Sequence, residues 1–345
     1  MKNLLIPSSY RPSLDVKQTE KAIKAIKDFF EINLAAELCL SRVTAPLFVL
    51  RGTGINDDLS GVETPVSFTI ADMKGQTAEI VQSLAKWKRM MLADYGIQQG
   101  FGLYTDMNAI RPSEQLDNLH SIYVDQWDWE RVINQGERTI PFLEEVVRKI
   151  YAVIKRTESH LCDRYPFIKS ELPDEITFFH AEELQRKYPE LTPRQREEVI
   201  VLQHKAVFII GIGASLADGI PHDGRAPDYD DWITETKNGF RGLNGDIIIW
   251  NNVLNRSYEL SSMGIRVDHD ALLRQLEITG TMERKELLFH RRLLNNELPL
   301  SIGGGIGQSR LCMYFLRKAH IGEVQVGLWP AEMVEICRKN NIFLL

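Results

Sequence analysis

The stretch SIGGGIGQSRLCMYFL, residues 301–316, constrains the chain more than any other. Glycines at 303, 304, 305 and 307 mark backbone that must approach something closely. Two phosphate-binding patterns of similar composition fail here. Counted from Gly305, a dinucleotide fingerprint needs its third glycine where Arg310 stands, and no Lys-Ser or Lys-Thr follows as in a P-loop. A wound parallel unit starting here would also have too little chain left for its repeats. What remains is a glycine-rich strand running directly into an apolar helix, with one arginine at the junction.

The rest of the chain must supply a fold around that strand. Its 345 residues suit one large domain or two, and 44% hydrophobic with 26% charged residues is ordinary for a globular protein. With 41 basic against 47 acidic residues, the net charge of −6 offers no bulk attraction to nucleic acid. The start, MKNLLIPSSY, is too short in apolar residues for a secretory segment and is interrupted by Pro7. No stretch approaches the ~18 apolar residues of a membrane span. Cys39, Cys162, Cys312 and Cys337 are scattered without metal-ligand spacing, so free thiols in a reducing cytoplasm are expected.

Apolar periodicity predicts helices over 15–38 and 138–165, and a third starting at the capping box Thr192-Pro193-Arg194-Gln195. Strand-like pieces fall at 38–43, 45–50, 61–70, 119–129, 206–210, 246–250, 259–267 and 303–307, the last followed by the C-terminal helix. Long helices separate the strand groups. The expectation is an α+β fold with a mostly antiparallel sheet flanked by helices.

Three further segments carry chemistry. In IRPSEQLDNLHSIYVDQWDWE, Arg111 and His120 flank a loop between two β-type pieces, and Gln126 and Asp128 share a strand face. That arrangement suits a zwitterionic substrate, or equally a solvated hairpin edge. In GDIIIWNNVLNRSYELSSMGIRVD, Asp246 and Glu259 lie on two strands joined by a polar turn, where paired carboxylates can share Mg²⁺, and Arg266 follows Gly264. HDGRAPDYDDW is an Asp-rich turn in which Arg225 either neutralises carboxylates or meets a pyrophosphate.

Together these segments resemble the three motifs of class II aminoacyl-tRNA synthetases. Residues 15–50, with a long helix, a strand and Pro46, are similar to the first motif, which implies a homodimer. The Arg111 hairpin with His120 is similar to the second, whose arginine holds the α-phosphate of ATP. The glycine strand leading to Arg310 is similar to the third, whose arginine packs on adenine while the glycines clear space under the adenosine. YELSSMGIR, 258–266, resembles the aspartyl and asparaginyl branch, where the corresponding Glu binds Mg²⁺ and the distal Arg binds the γ-phosphate.

Through LSGVETPV, AKWKR, LHSIYVDQWDWE, RAPDYDDW, ELSSMGIRVD and IGGGIGQSR, the whole chain resembles the ammonia-dependent asparagine synthetase (aspartate–ammonia ligase) family. The first motif begins near residue 15, so a single catalytic domain over 1–345, without an anticodon-binding domain, is expected. The resemblance implies that ATP and L-aspartate form β-aspartyl-AMP, which ammonia converts to L-asparagine. ATP and Mg²⁺ are the implied cofactors. Arg111 would hold the α-phosphate, Asp246 and Glu259 the Mg²⁺, and Arg266, His120 and Arg225 the outer phosphates, with Gly305 and Arg310 at adenine. Asp57, Lys88, Gln126, Asp128 and Ser262 would grip aspartate, Lys88 suiting its α-carboxylate and Asp57 or Asp128 its ammonium. Asp230, or equally Asp231, would receive ammonia. No cysteine precedes Cys39, so free ammonia and not glutamine is the expected nitrogen donor. The rival readings are a tRNA-aspartylating paralogue and an amino-acid sensor without catalysis. The presence of Arg111, Arg266, Arg310 and both carboxylates favours catalysis.

Overall fold

A computed structural model describes residues 4–57, 59, 63–236 and 239–345. Positions 58 and 60–62, the latter three within LSGVETPV, lie outside the described residues. Helix α1 (Val16–Leu38) starts at Asp15, whose carboxylate accepts from Gln18 N–H while the Gln18 side chain accepts from Asp15 N–H. Its stripe of Ala22, Ile26, Phe30, Leu34 and Leu38 is buried at the four-residue step of one helix face.

The chain continues through β1 (Leu40–Arg42), β2 (Phe48–Leu50), β3 (Ser67–Ile70), β4 (Gln76–Ile80) and α2 (Ala85–Asp94). The hairpin β5 (Gly102–Ile110) and β6 (Tyr123–Val132) precedes the long α3 (Ile140–Arg164). Then come β7 (Thr177–His180), α4 (Ala181–Lys187), α5 (Pro193–His204) and β8 (Ala206–Ile210). A second hairpin, β9 (Asn244–Asn251) and β10 (Arg256–Ile265), is followed by α6 (His269–Thr279) and α7 (Leu288–Leu294). β11 (Ser301–Gly307) runs directly into α8 (Gln308–Phe315), and α9 (Ala331–Lys339) follows, so the helix after the glycines is not the last one.

The main sheet has the order β1-β5-β6-β11-β10-β9-β8-β7. Its six central strands are antiparallel, while β1 beside β5 and β7 beside β8 are parallel edge pairs. The sheet is therefore mixed, with the antiparallel character that alternation predicts confined to the centre. β2, β4 and β3 form a small separate sheet. The strands expected from 61 and 119 begin only at Ser67 and Tyr123. β4 (QTAEI) and the short β7 lack a clean apolar alternation and carry little signal of their own.

One face of the sheet packs against α1, α3 and α8 in the largest core. Trp127 and Trp129 of β6 are fully buried on that face. A one-residue slip of β6 would turn both tryptophans out, so they fix the register. On the opposite face, α4 and α5 cover the β8–β9 end. The central strands β6, β11 and β10 meet there with α2 and the 222–230 turn, and this is where the polar residues converge.

Candidate active site

The register of β6 on β11 explains the glycines. Gly307 pairs with Gln126, Gly305 with Asp128 and Gly303 with Glu130. A Cβ at Gly305 would lie 2.5 Å from Gln126 Oε1 and 2.7 Å from Asp128 Oδ1, and one at Gly303 would overlap Glu130 Oε2. Gly304 faces the other way, where a Cβ would meet Met263 Cβ at 2.5 Å. None of the four glycines has a positive φ, so clearance and not backbone conformation requires them. The space that Gly303 and Gly305 clear belongs to the polar row of β6, and Gly305 and Gly307 line the cavity beside it.

Two adjoining cavities share Arg111, Glu114, Gln126, Glu259 and Gly305. The hairpin cavity adds His120 and Arg310, and the floor cavity adds Lys88, Asp128, Arg225, Asp230, Ser262 and Arg266. Asp57 lines a neighbouring depression with Lys86 and Asp228; its carbonyl accepts from Gln82 Nε2 at 2.9 Å. Asp246 joins the group through Arg225, which bonds both Asp246 and, at 2.8 Å, Ser262 Oγ. Arg225 therefore neutralises carboxylates in this structure.

A β-bulge puts Glu259 on the correct face. Ser262 pairs with Asp246 and Glu259 with Ile248, which needs a register shift between Glu259 and Ser261. Without it, a separation of three would turn Glu259 to the opposite face from Ser262. Burial pushes the Asp246 carboxyl up to about 7, and Glu259 and Asp223 add to the rise against the pull of Arg225. Among the described residues no group of three or more His, Cys, Asp or Glu side chains forms a metal cage.

The cations differ sharply in how they are matched. Lys88, on the first turn of α2, is buried 2.9 Å from Asp128 Oδ2 and donates to the Gly304 carbonyl at 2.9 Å; burial lowers its pKa. The second oxygen of Asp128, Oδ1, is buried without a hydrogen-bond partner. Arg111 donates from Nη2 to the Gln82 carbonyl at 3.3 Å, its Nε is buried without a partner, and it forms no ion pair among the described residues. Arg310 donates to the Glu259 carbonyl at 3.0 Å, and His120 Nδ1 lies 2.9 Å from Asp117 Oδ1.

Arg266 requires a correction. Its Nε and Nη2 bind Glu130, at 3.0 and 2.8 Å, and its Nη1 bonds Asp230. Every nitrogen of the guanidinium faces a carboxylate, which leaves no edge for an outer phosphate. Burial raises the Asp230 pKa, although Arg266 and Arg225 pull the other way. Asp231 is placed apart from Asp230: it pairs with Arg138 at 2.5 Å, accepts from Thr234 Oγ1 at 2.6 Å, and lines neither cavity.

Glu130 escaped the sequence reading, although QWDWE carries it at the same two-residue step as Gln126 and Asp128. The buried set of Asp228 with Lys86 at 3.1 Å and His290 at 3.0 Å was also missed. Those residues are dispersed in sequence, and only the fold assembles them.

A family model described as aspartate-ammonia ligase matches residues 17–341. Over 345 residues, covering all of both chains, the sequence is 60% identical to an aspartate–ammonia ligase of Parabacteroides distasonis and 59% identical to one of Bacteroides fragilis. Among solved structures, asparaginyl-tRNA synthetase from Pyrococcus horikoshii, complexed with asparaginyl-adenylate, is similar at a TM-score of 0.65 and 15% identity, covering 90% of this chain and 70% of that one. Aspartyl-tRNA synthetase from Entamoeba histolytica is similar at a TM-score of 0.58 and 14% identity, covering 89% and 57%. At such identities the likeness is one of fold, that of the class II synthetase catalytic sheet.

Proposed function

The chain belongs to the aspartate–ammonia ligase family, and from that premise we propose how its site makes L-asparagine from L-aspartate, ammonia and ATP. The β-carboxylate of aspartate attacks the α-phosphorus, giving β-aspartyl-AMP and pyrophosphate. Ammonia then attacks the acyl carbon, AMP leaves with the bonding electrons, and the nitrogen gives up a proton.

The observation that carries the first step is the unmatched cation. Arg111 touches both cavities and has no ion-pair partner among the described residues, with a buried Nε unsatisfied. A buried donor without a partner is costly, and a phosphoryl oxygen would satisfy it where charge develops. Arg111 is therefore the cation for the α-phosphate and the attacking carboxylate. His120 and Arg225 serve the outer phosphates, and Arg310, beside Gly305 and Gly307, stacks on adenine. Lys88 takes the α-carboxylate of aspartate; Asp57, Gln126, Asp128 and Ser262 hold the remaining polar groups, with the open oxygen of Asp128 suited to the ammonium.

Asp246 and Glu259 fit Mg²⁺, since two hard oxygen donors on one sheet face repel each other and the ion usually binds one or two carboxylates plus phosphates. When bound, the ion would neutralise charge on the phosphate chain. Asp230 lines the floor cavity and its raised proton affinity suits a group that takes the proton from the attacking nitrogen. One catalytic unit, acting in the cytoplasm as a homodimer through α1 and the Pro46 segment, completes the reading. Ile32 on α1 and Leu47 and Phe48 beside Pro46 offer exposed apolar surface for a partner, and among the described residues no helix is long and apolar enough to cross a membrane.

The test is product analysis with Mg-ATP, L-aspartate and ammonium chloride, with and without tRNA. Asparagine, AMP and pyrophosphate should form in equal amounts without tRNA. Labelled aspartate on tRNA with no free asparagine would instead establish the tRNA-charging reading.

A further inference from the structure

Gln126, Asp128 and Glu130 form one row on β6, each opposite a glycine of β11. Only the first two have a part in the reaction as described. Glu130 is fully buried, and a carboxylate there persists only with compensating partners. Those partners are Arg266, on two nitrogens, and Ser301 Oγ at 2.7 Å. The third nitrogen of Arg266 bonds Asp230, which lines the floor cavity while Glu130 does not. Gly303 makes room for this pair in particular: a Cβ there would overlap Glu130 Oε2 and lie 2.7 Å from Arg266 Nη2. Well-packed apolar residues would serve stability as well as such a buried ionic series. Its geometry, which ends on a cavity-lining carboxylate, is what an apolar core cannot supply.

We propose that Glu130 is a positioning residue for the ammonia step. By holding Nε and Nη2 of the Arg266 guanidinium it fixes the third nitrogen, Nη1, and with it the Asp230 carboxylate that takes the proton from the incoming nitrogen. The inference rests on that reading of Asp230.

The test compares Glu130→Gln, Asp230→Asn and the double variant in two assays: aspartate-dependent pyrophosphate exchange without ammonia, and asparagine formation with ammonium varied. Glu130→Gln should lower the kcat of asparagine formation at least about tenfold further than it lowers exchange. In the Asp230→Asn background it should cause no further loss, because both changes remove one arrangement. Gly303→Ala, which displaces Glu130 while keeping every charged group, should give the same split, and it carries the comparison if Glu130→Gln does not fold. Parallel loss in both assays, no loss, or a full additional loss in the double variant would overturn the inference. If Asp230→Asn impairs asparagine formation selectively and neither Glu130→Gln nor Gly303→Ala does, Glu130 alone is misassigned. If Asp230→Asn shows no selective loss, the reading of Asp230 fails and the inference falls with it.

Discussion

In the hairpin cavity Arg111 has a buried Nε without a partner, and His120 and Arg310 are only partly enclosed. On the floor, Arg266 has a carboxylate at every nitrogen. Arg111 and Arg266 are both arginines near one sheet face, so composition does not distinguish them. Their partners do. A matched buried pair fixes geometry, since removing either member strands the other. An unmatched one is a standing cost to the folded protein that only a ligand relieves. On the proposed mechanism, the difference separates the arginine that would meet the α-phosphate from the one that holds the site in shape.

The largest expected effect falls on the unmatched side. Arg111→Ala should lower aspartate-dependent pyrophosphate exchange about 10²- to 10³-fold, the usual loss for a group that stabilises developing charge. The thermal midpoint should hardly move, because no ion pair among the described residues is broken. Near-normal exchange would remove Arg111 from the first step, and a large drop in midpoint would assign it to the matched class.

A smaller effect is expected from narrowing the floor. Gly305→Ala puts a methyl group 2.5 Å from Gln126 Oε1 and 2.7 Å from Asp128 Oδ1. Both obstructing atoms are ends of side chains, so the strand can stay folded while the groups proposed to meet aspartate shift. The KM for aspartate should rise about tenfold, more than the KM for ATP, given how steeply orientation enters such sites. A rise confined to the KM for ATP would place Gly305 at the nucleotide alone.

How much of this could be read from the sequence depends on the range of each signal. The capping box at Thr192 and the apolar stripe of α1 are local, and they appear where the pattern puts them. The alternation in QWDWE gave the face shared by Gln126 and Asp128, and the same step would have given Glu130 had Arg266 been known to lie opposite. The Glu259 bulge was invisible, since one extra residue in a strand leaves no compositional mark. The saturation of Arg266 was invisible too: it needs a residue 136 positions away on β6 and another on the 222–230 turn. Choosing Asp230 over Asp231 required Arg138, which only tertiary packing brings to Asp231.

The smallest prediction tests whether an unpartnered atom by itself implies a ligand. His320 Nε2 is also buried without a hydrogen-bond partner, while Nδ1 accepts from Gly322 N–H at 3.0 Å and the ring meets Trp329 edge-on. An imidazole can stay neutral, as a guanidinium cannot. Burial accordingly lowers the His320 pKa from 6.5 to about 4, against a small opposing pull from Asp117. The unfolded chain then binds this proton first, so stability is full above pH 6.5 and falls as the pH drops toward 4. Between pH 7 and 5.5 the loss should be about 1 kcal/mol. It should be absent from His320→Gln when the two proteins are compared by denaturant unfolding across that range. If His320→Gln keeps the same pH dependence, the missing partner at Nε2 has no energetic consequence. The unmatched nitrogen of Arg111 would then owe its weight to its charge and to its position between the two cavities.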